Sequence, residues 1–507
     1  VAANDGMLHA FDRISGIERF AFVPNSVFSV PRSLTGTELK LKMLSDLSYS
    51  HRFTVDGPPQ IGDAFIGTGA AAPDWKTVLL GSTGAGARSV FAMDITNPKD
   101  AADPAPLAVG EYPRFNQSKL LWEFSEADNA DMGYVISYPH IARMQNGSWV
   151  AIFGNGYDST NGQAKLFILD LQTGTVLWHR SVGAPGGNGL SQPNFTVNNK
   201  REVTAIYAGD LKGNLWKFDV NDPVPANWKV AFGSAPNYTP LFAGTDQQPI
   251  SVMPEITFHP NGGALVSFGT GKLFETEDTA TTNGPNINLG QQAIIGVWDK
   301  PGETTGFSGT STLVQQTDAG LAAAVDTTLS GTTSNAVDWT TKRGWFLNLN
   351  PSPSGERVNV NPQQAKNTLL VVANTPDIDP CKSGGTSRLF ALDPITGGAP
   401  NFGVFDSNGV NGINAADRGY NVKSISYAVL SLPTIQSKKP FTDQVVTERI
   451  GTRGQTGERL GGVENRPNPP TDCAAWLLAG GSDTSIAGFD ISLCSPGKPR
   501  ISWRQLK

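Results

Sequence analysis

The sequence predicts an all-β protein, a seven-bladed modified β-propeller with long inter-strand loops. Three observations carry that expectation. A strand–turn–strand unit recurs seven times along the chain. Turn formers are abundant, with 56 Gly and 35 Pro in 507 residues. Charged residues make up only 17%, which leaves little of the Lys/Glu/Leu mix that sustains long helices.

Composition sets the outer bounds. Hydrophobic residues at 39% supply a large core, and a net charge of −6 argues against nucleic acid or an anionic membrane as partner. No apolar run approaches the ~18 residues that a membrane-crossing helix needs. There is no signal peptide and no initiator Met, and Val1 opens directly on a strand-like motif. The chain therefore reads as a fragment of a longer protein, without its N-terminal region, and residues 1–507 read as one propeller domain.

The repeats come in order along the chain. They are "VAANDGMLHAFD" ending at Asp12, "LLGSTGAGARSVFAMD" at Asp94, "AIFGNGYDSTNGQAKLFILD" at Asp170 and "YAGDLKGNLWKFD" at Asp219. "VSFGTG…IIGVWD" at Asp299, "VVANTP…SRLFALD" at Asp393 and "LLAGGSDTSIAGFD" at Asp490 complete the set. The terminal aspartates lie 82, 76, 49, 80, 94 and 97 residues apart, about twice the ~40–45 residues of a compact blade, so the blades carry large loops. Ala71–Trp75, Gly284–Gln292 and Gly302–Gly331 read as such insertions, and Glu448–Thr471 is polar and rich in Gly and Pro.

Each part of the unit has a physical reason. The first strand carries Ala and Gly, which suits an inner position where neighbouring sheets converge. The polar Gly/Asn/Asp stretch is a turn. The second strand carries larger side chains and stops at Asp. An Asp followed by a residue pair and Gly bends the chain again, because the Asx side chain caps a turn and Gly accepts positive φ. A third strand follows in "LQTGTVLWHR" (Leu171–Arg180), in "SGIERFAFVP" after Asp12 and in "ISWRQL" after Asp490. Such a unit cannot bury both faces alone, so copies must stack, and radial stacking gives a propeller with few helices.

The wording "DLQTGTVLW" resembles the blade motif of quinoprotein dehydrogenases. That family implies adjacent cysteines over a quinone, a calcium ion and a carboxylate base. This chain has no Cys-Cys pair. The motif is a packing device and speaks for fold rather than chemistry. A quinone-dependent periplasmic dehydrogenase-like propeller is the alternative reading.

A fuller resemblance lies in "ANDGMLHAFD", "VDGPP", "FGNGYDSTNGQAKLFILDLQTG", "YAGDLKGNLWKFD", "FGTGKLFE" and the terminal "SWRQL", spread from residue 3 to residue 506. Together they resemble the C-terminal propeller of the PilC/PilY family of type IV pilus tip-associated proteins. The resemblance implies an exported, surface-exposed protein of a Gram-negative bacterium. It further implies support of pilus assembly, opposition to retraction, roles in twitching motility and attachment, and minor pilins at the pilus tip as partners.

Many members of that family carry a calcium loop before "YAGD", with alternating oxygen ligands for a hard cation. The matching positions here are Thr196, Asn198, Lys200, Glu202 and Thr204. Three carboxylate positions are Thr, Lys and Thr, and Lys200 puts a cation where the metal belongs. The loop reads as calcium-free, and no Arg-Gly-Asp triplet is present. The acids of Asp128–Asp131 and Asp377–Asp379 lack the spaced ligands of a calcium loop and read as solvated.

Catalytic patterns are not found. His9 and His179 read as strand residues making hydrogen bonds, and His51, His140 and His259 fall in no H-E-x-x-H motif. "GSTGAGARS" (Gly81–Ser89) lacks the lysine of a phosphate loop and reads as a hairpin turn. Cys381, Cys473 and Cys494 form neither a disulfide scaffold nor zinc spacing. Cys473 and Cys494 flank the final hairpin, Trp476–Gly480 out and Ile486–Ile491 back, and are the candidate disulfide for an exported chain. Cys381 bonded to either one is the alternative.

Overall fold

The repeated unit turns on an aspartate. Asp170 Oδ1 accepts the backbone N–H groups of Gln172 and Thr173 (3.1 and 2.8 Å) and the Thr173 hydroxyl (2.9 Å). Gly174, at φ +72°, donates its N–H to the Asp170 carbonyl at 2.9 Å and ends the turn. The same turn recurs at Asp12 with Gly16 and at Asp393 with Gly397. Three residues separate Asp from Gly here, one more than expected. The Asp side chain holds the N–H groups two and three residues on, and Gly takes the left-handed position that follows.

The structure is a computed structural model. It describes residues 1–12, 14–28, 44–45, 47, 49, 51–67, 73–96, 119–274, 278, 290–321, 324–350, 355–377, 385–409, 412–425, 430–431, 434–437, 474–480 and 486–493. Strands dominate. Helix among the described residues is limited to short pieces such as Asn25–Phe28, Pro225–Asn227 and Ala415–Asp417. The chain forms two compact units, Val1–Lys272 with Val297–Gly309, and Leu273–Gly296 with Thr310–Lys507.

In the first unit, β1 (Leu8–Phe11) pairs with β2 (Glu18–Phe22). An antiparallel meander follows in chain order: β3 (Gln60–Ile66), β4 (Asp74–Ser82), β5 (Ser89–Asp94) and β6 (Leu120–Ser125). The next meander is β7 (His140–Arg143), β8 (Trp149–Gly154), β9 (Ala164–Asp170) and β10 (Val176–Val182). The third begins with β11 (Asn194–Val197), β12 (Val203–Gly209) and β13 (Asn214–Asp219), and β13 also pairs with the short β14 (Lys229–Val230). A separate hairpin, β15 (Phe232–Ser234) with β16 (Asn237–Thr239), precedes β17 (Phe242–Ala243), which returns to β13. β18 (Glu255–Phe258) pairs with β19 (Ala264–Gly269). β20 (Ala293–Asp299) carries residues of both units, and β21 (Phe307–Ser308) runs parallel to β17.

In the second unit, β22 (Leu313–Gln316) runs parallel to β24 (Gly344–Asn348). The short β23 (Leu329–Ser330), β25 (Gln363–Ala365), β26 (Thr368–Pro376), β27 (Gly385–Leu392) and β28 (Val422–Ile425) form one sheet in the order 23-28-27-26-25. The last meander is β29 (Thr434–Ser437), β30 (Ala474–Gly480) and β31 (Ile486–Ser492). The final hairpin thus forms where the sequence places it, with Ala474 opposite Ser492. Cys381, Cys473, Cys494, Glu448–Thr471 and the terminal "SWRQL" lie outside the described residues.

Two expected loops are partly strand. Gly302–Gly331 contains β21, β22 and β23, whose partners come from distant sequence and left no local period to read. Trp75 stands in β4, opposite Phe65.

The large side chains fill the gaps between successive sheets. Trp178 on β10 meets Phe218 on β13 edge-on at 6.1 Å and Trp228 at 6.5 Å, and all three are buried in one cluster. Burying an aromatic side chain stabilises by about 2–3 kcal/mol, with a further ~1 kcal/mol for such edge-to-face pairs. The small residues do the opposite job. A β-carbon on Gly154 would overlap the carbonyl oxygens of Ser191 and Leu190, and one on Gly209 would overlap Ile250.

In five of the repeats the polar residue after the small one grips the segment that leads into the next sheet. Asn4 Oδ1 accepts from Thr54 N–H (3.0 Å), ahead of β3. The Ser82 hydroxyl donates to the Ser137 carbonyl (3.1 Å), ahead of β7. Asn155 Oδ1 accepts from Leu190 N–H (3.0 Å), ahead of β11. The Asp210 carbonyl accepts from Ile250 N–H (2.9 Å), ahead of β18. Asn374 both accepts from Leu430 N–H and donates to its carbonyl (3.1 Å each), ahead of β29.

Candidate functional site

The degenerate calcium loop is a hairpin turn between β11 and β12. Thr196 and Thr204 face each other across it, hydroxyl to hydroxyl at 2.9 Å. Asn198 Oδ1 accepts the N–H groups of Lys200 and Glu202 (2.9 and 3.0 Å), and its amide donates to Glu202 Oε2 at 2.9 Å. Glu202 also meets Arg143 at 3.9 Å. Where a calcium loop gathers oxygens around a cation, Asn198 here turns its oxygen onto backbone N–H groups. The five sequence-chosen residues lie together, and their polar groups bond mainly to one another.

The Gly81–Ser89 stretch is the expected hairpin turn, joining β4 to β5. The acidic cluster departs from expectation. Asp128 accepts from the Ser125 N–H at 2.8 Å, as a solvated turn acid does. Asp131 is buried, holds an ion pair with Lys165 and accepts from the Asn161 amide at 2.6 Å. Burial alone raises the Asp131 pKa, but the Lys165 and Asn161 hydrogen bonds prevail and hold it below the usual range. The sequence signal for this pairing is a lysine thirty-four positions away, which no local pattern connects to "DNAD".

The histidines have distinct surroundings. His9 bridges Glu18 (2.6 Å) and Asp5 (2.9 Å), and the Glu18 hydrogen bond raises its pKa. Burial lowers His140 to about 4, opposed by a hydrogen bond to the Pro193 backbone. His259 stacks on Trp298 at 4.2 Å. Among the described residues no three or more His, Cys, Asp or Glu side chains are grouped to hold a metal ion. Among the same residues no helix is long and apolar enough to cross a membrane.

The "YAGDLKGNLW" stretch builds a closed polar knot. Asp210 has no solvent exposure, and its carboxylate accepts from Lys212 N–H, Asn214 N–H, the Asn214 amide, the Asn188 amide and the Trp216 indole. Five donors around one carboxylate leave it no capacity for chemistry.

Two solvent-open places among the described residues combine large or charged side chains with neighbouring rings. On the β3–β4 hairpin, Phe65 and Trp75 are about half exposed, their rings 5.7 Å apart, with Trp149 next to Trp75 at 6.0 Å. The second is a cleft of about 590 Å³ between β10 and the β15–β16 hairpin, lined by Gln163, His179–Ala184 and Ala235–Thr239. Arg180 lies over the Trp178 ring at 5.3 Å, and its Nε is buried with no hydrogen-bond partner. His179 stacks on Phe167 at 6.0 Å, and burial, then Lys165 and Arg180, lower its pKa. Sequence reading singled out neither the cleft nor Arg180, because its two walls are some fifty residues apart in the chain.

Comparison with known proteins fits this architecture. The family described as the PilY1 beta-propeller domain matches residues 1–333. A "Type IV pilus biogenesis factor PilY1" from Pseudomonas aeruginosa (strain UCBPP-PA14) is 34% identical over 458 residues, covering 80% of this chain and 36% of that protein. A "Type IV pilus biogenesis factor PilY1 homolog" from Xylella fastidiosa (strain Temecula1 / ATCC 700964) is 31% identical over 521 residues, covering all of this chain and 35% of that protein. The chain thus spans little more than a third of the length of these relatives. The crystal structure of the Pseudomonas aeruginosa PilY1 C-terminal domain superposes with a TM-score of 0.69 at 27% identity, covering 98% of this chain and 92% of that one.

Proposed function

The chain belongs to the PilY1 β-propeller family, and from that premise we propose that it is the propeller part of a type IV pilus biogenesis factor. It acts without catalysis, as a binding and assembly module that supports pilus assembly and counteracts retraction. Twitching motility and surface attachment follow from those two roles. Its partners are minor pilins at the pilus tip, and its place is the exported, outer face of a Gram-negative cell.

One observation carries this reading: likeness to the solved PilY1 C-terminal domain extends over 98% of the chain. The buried acids support the non-catalytic part, since Asp210 and Asp131 are consumed in hydrogen bonds that hold the fold. We read the chain as one seven-bladed propeller domain, its final hairpin stapled by Cys473–Cys494, a closed loop worth about 3 kcal/mol. Peptide mapping without reductant tests the staple, and a Cys381 peptide linked to either partner refutes it.

The functional test deletes the propeller from the full-length gene in a piliated host. Surface pili should be lost, and should return when the retraction motor is also removed. Unchanged piliation on deletion overturns the proposal. So does a bound chromophore with dye reduction by alcohols after incubation with quinone and calcium, the behaviour of a quinone-dependent dehydrogenase.

A further inference from the structure

We propose that the cleft between β10 and β16 is a guest-strand site, where an extended acidic peptide segment of another protein pairs with the free edge of β10 and sets a carboxylate on Arg180. The inference rests on the cleft alone and does not require the pilus reading.

Among the described residues β10 is the terminal strand of its sheet and pairs only with β9. Its free edge can be assigned residue by residue. The Lys165 carbonyl on β9 accepts from Asn155 N–H (2.9 Å), while Asp170 N–H donates to the Thr175 carbonyl (2.8 Å). Odd-numbered residues of β9 therefore bond towards β8, and even-numbered ones towards β10, because backbone groups alternate sides along a strand. Ser181 stands opposite Lys165 and His179 opposite Phe167. Their N–H and C=O groups point away from β9. No backbone hydrogen bond to them is found among the described residues.

The cleft lies on this edge. A strand that shows a face to a cavity lines it with alternate residues. Here six consecutive residues, 179–184, line it, so β10 presents its backbone edge. The opposite wall is the β15–β16 hairpin, whose strands among the described residues pair only with each other. Two open strand edges thus border one slot, the arrangement used when a peptide adds a strand to a sheet. An exposed edge of this kind is a liability unless something covers it or blocks it.

Charge selects the guest. The lining holds Arg180 and His179 and no carboxylate. The nearby acid, Asp131, is already held by Lys165 and Asn161. Arg180 keeps a buried Nε without a partner beside this opening, and its guanidinium lies over the Trp178 ring. A carboxylate on every second guest residue can reach it, because alternate side chains share a face.

The test uses the whole chain and a fluorescent, end-capped heptapeptide of alternating valine and glutamate, read by anisotropy. Saturable binding is expected. Arg180→Ala weakens it at least about tenfold, the worth of one charge-assisted hydrogen bond. Ser181→Pro weakens it comparably, because it deletes an outward N–H while sparing the β9 ladder. A peptide with lysine for glutamate, and a glutamate peptide N-methylated at alternate residues, both bind at least about tenfold more weakly than the parent. Circular dichroism of each variant separates loss of site from loss of fold. If Ser181→Pro unfolds, the N-methylated peptide decides on the unaltered protein. No saturable binding at millimolar peptide, equal binding of the N-methylated peptide, or full affinity of Arg180→Ala overturns the proposal.

Discussion

The Trp216 indole N–H donates to the Asp210 carboxylate at 2.8 Å, with both residues out of contact with water. The hairpin that carries them is therefore fastened from within, six residues apart in sequence. Asp210→Ala strips a partner from five donors at once, and an orphaned buried donor costs ~1–3 kcal/mol. A loss of about 3 kcal/mol or more is expected in urea unfolding, and Asp210→Asn should lose less, since one oxygen remains. Equal stability of Asp210→Ala and the natural chain would sink this account.

Gly154→Ala should destabilise by about 3 kcal/mol, at the upper end for overpacking, since the new methyl meets backbone carbonyls that cannot turn aside. Gly147 has φ +85° but open space around it, so Gly147→Ala isolates the cost of backbone strain without a clash. Thermal melts of the two variants compare them directly. A smaller loss at Gly154 than at Gly147 contradicts the close approach of the two segments.

Calcium at millimolar concentration should leave the Thr196–Thr204 turn unchanged. Thr196→Asp, Lys200→Asp and Thr204→Asp together should destabilise the chain without calcium, because two carboxylates then face each other where hydroxyls now sit 2.9 Å apart. Calcium should restore that loss in the triple variant alone. The reading of this turn fails if calcium stabilises the natural chain and Asn198→Ala with Glu202→Gln abolishes the effect.

His140 predicts an acid limb in stability. Its folded pKa is lowered to about 4, from 6.5. Between those values the unfolded chain holds a proton that the folded chain does not, so stability falls as pH drops from about 6.5 and stops falling on this account below about 4. The full effect is roughly 3 kcal/mol. His140→Gln should flatten this limb in unfolding midpoints measured across the range. An unchanged slope in the variant assigns the limb to other groups.

Much of the fold could be read in the sequence because the repeat is local. Asp170 and Gly174, or Asp210 and Trp216, lie within one turn of chain, so their spacing survives as a pattern. The Ala and Gly of the first strands likewise announce close approach, which Gly154 and Gly209 bear out. What escaped was non-local. The parallel pairings of β17 with β21 and β22 with β24 join segments about thirty residues or more apart and leave no period. Asp131 looked solvated because Lys165, its partner, lies on another strand. Arg180 reads as the tail of a packing motif, and only the fold sets β16 across from it.

The grip of Asn4, Ser82, Asn155, Asp210 and Asn374 has a mechanical consequence. Each helps to hold the stretch that enters the following sheet, so tension on the chain arrives first at a few polar contacts rather than across a whole ladder. Where repeats bond chiefly to their neighbours, rupture passes from one to the next. Such a chain is expected to give way under a steady pull in successive small events.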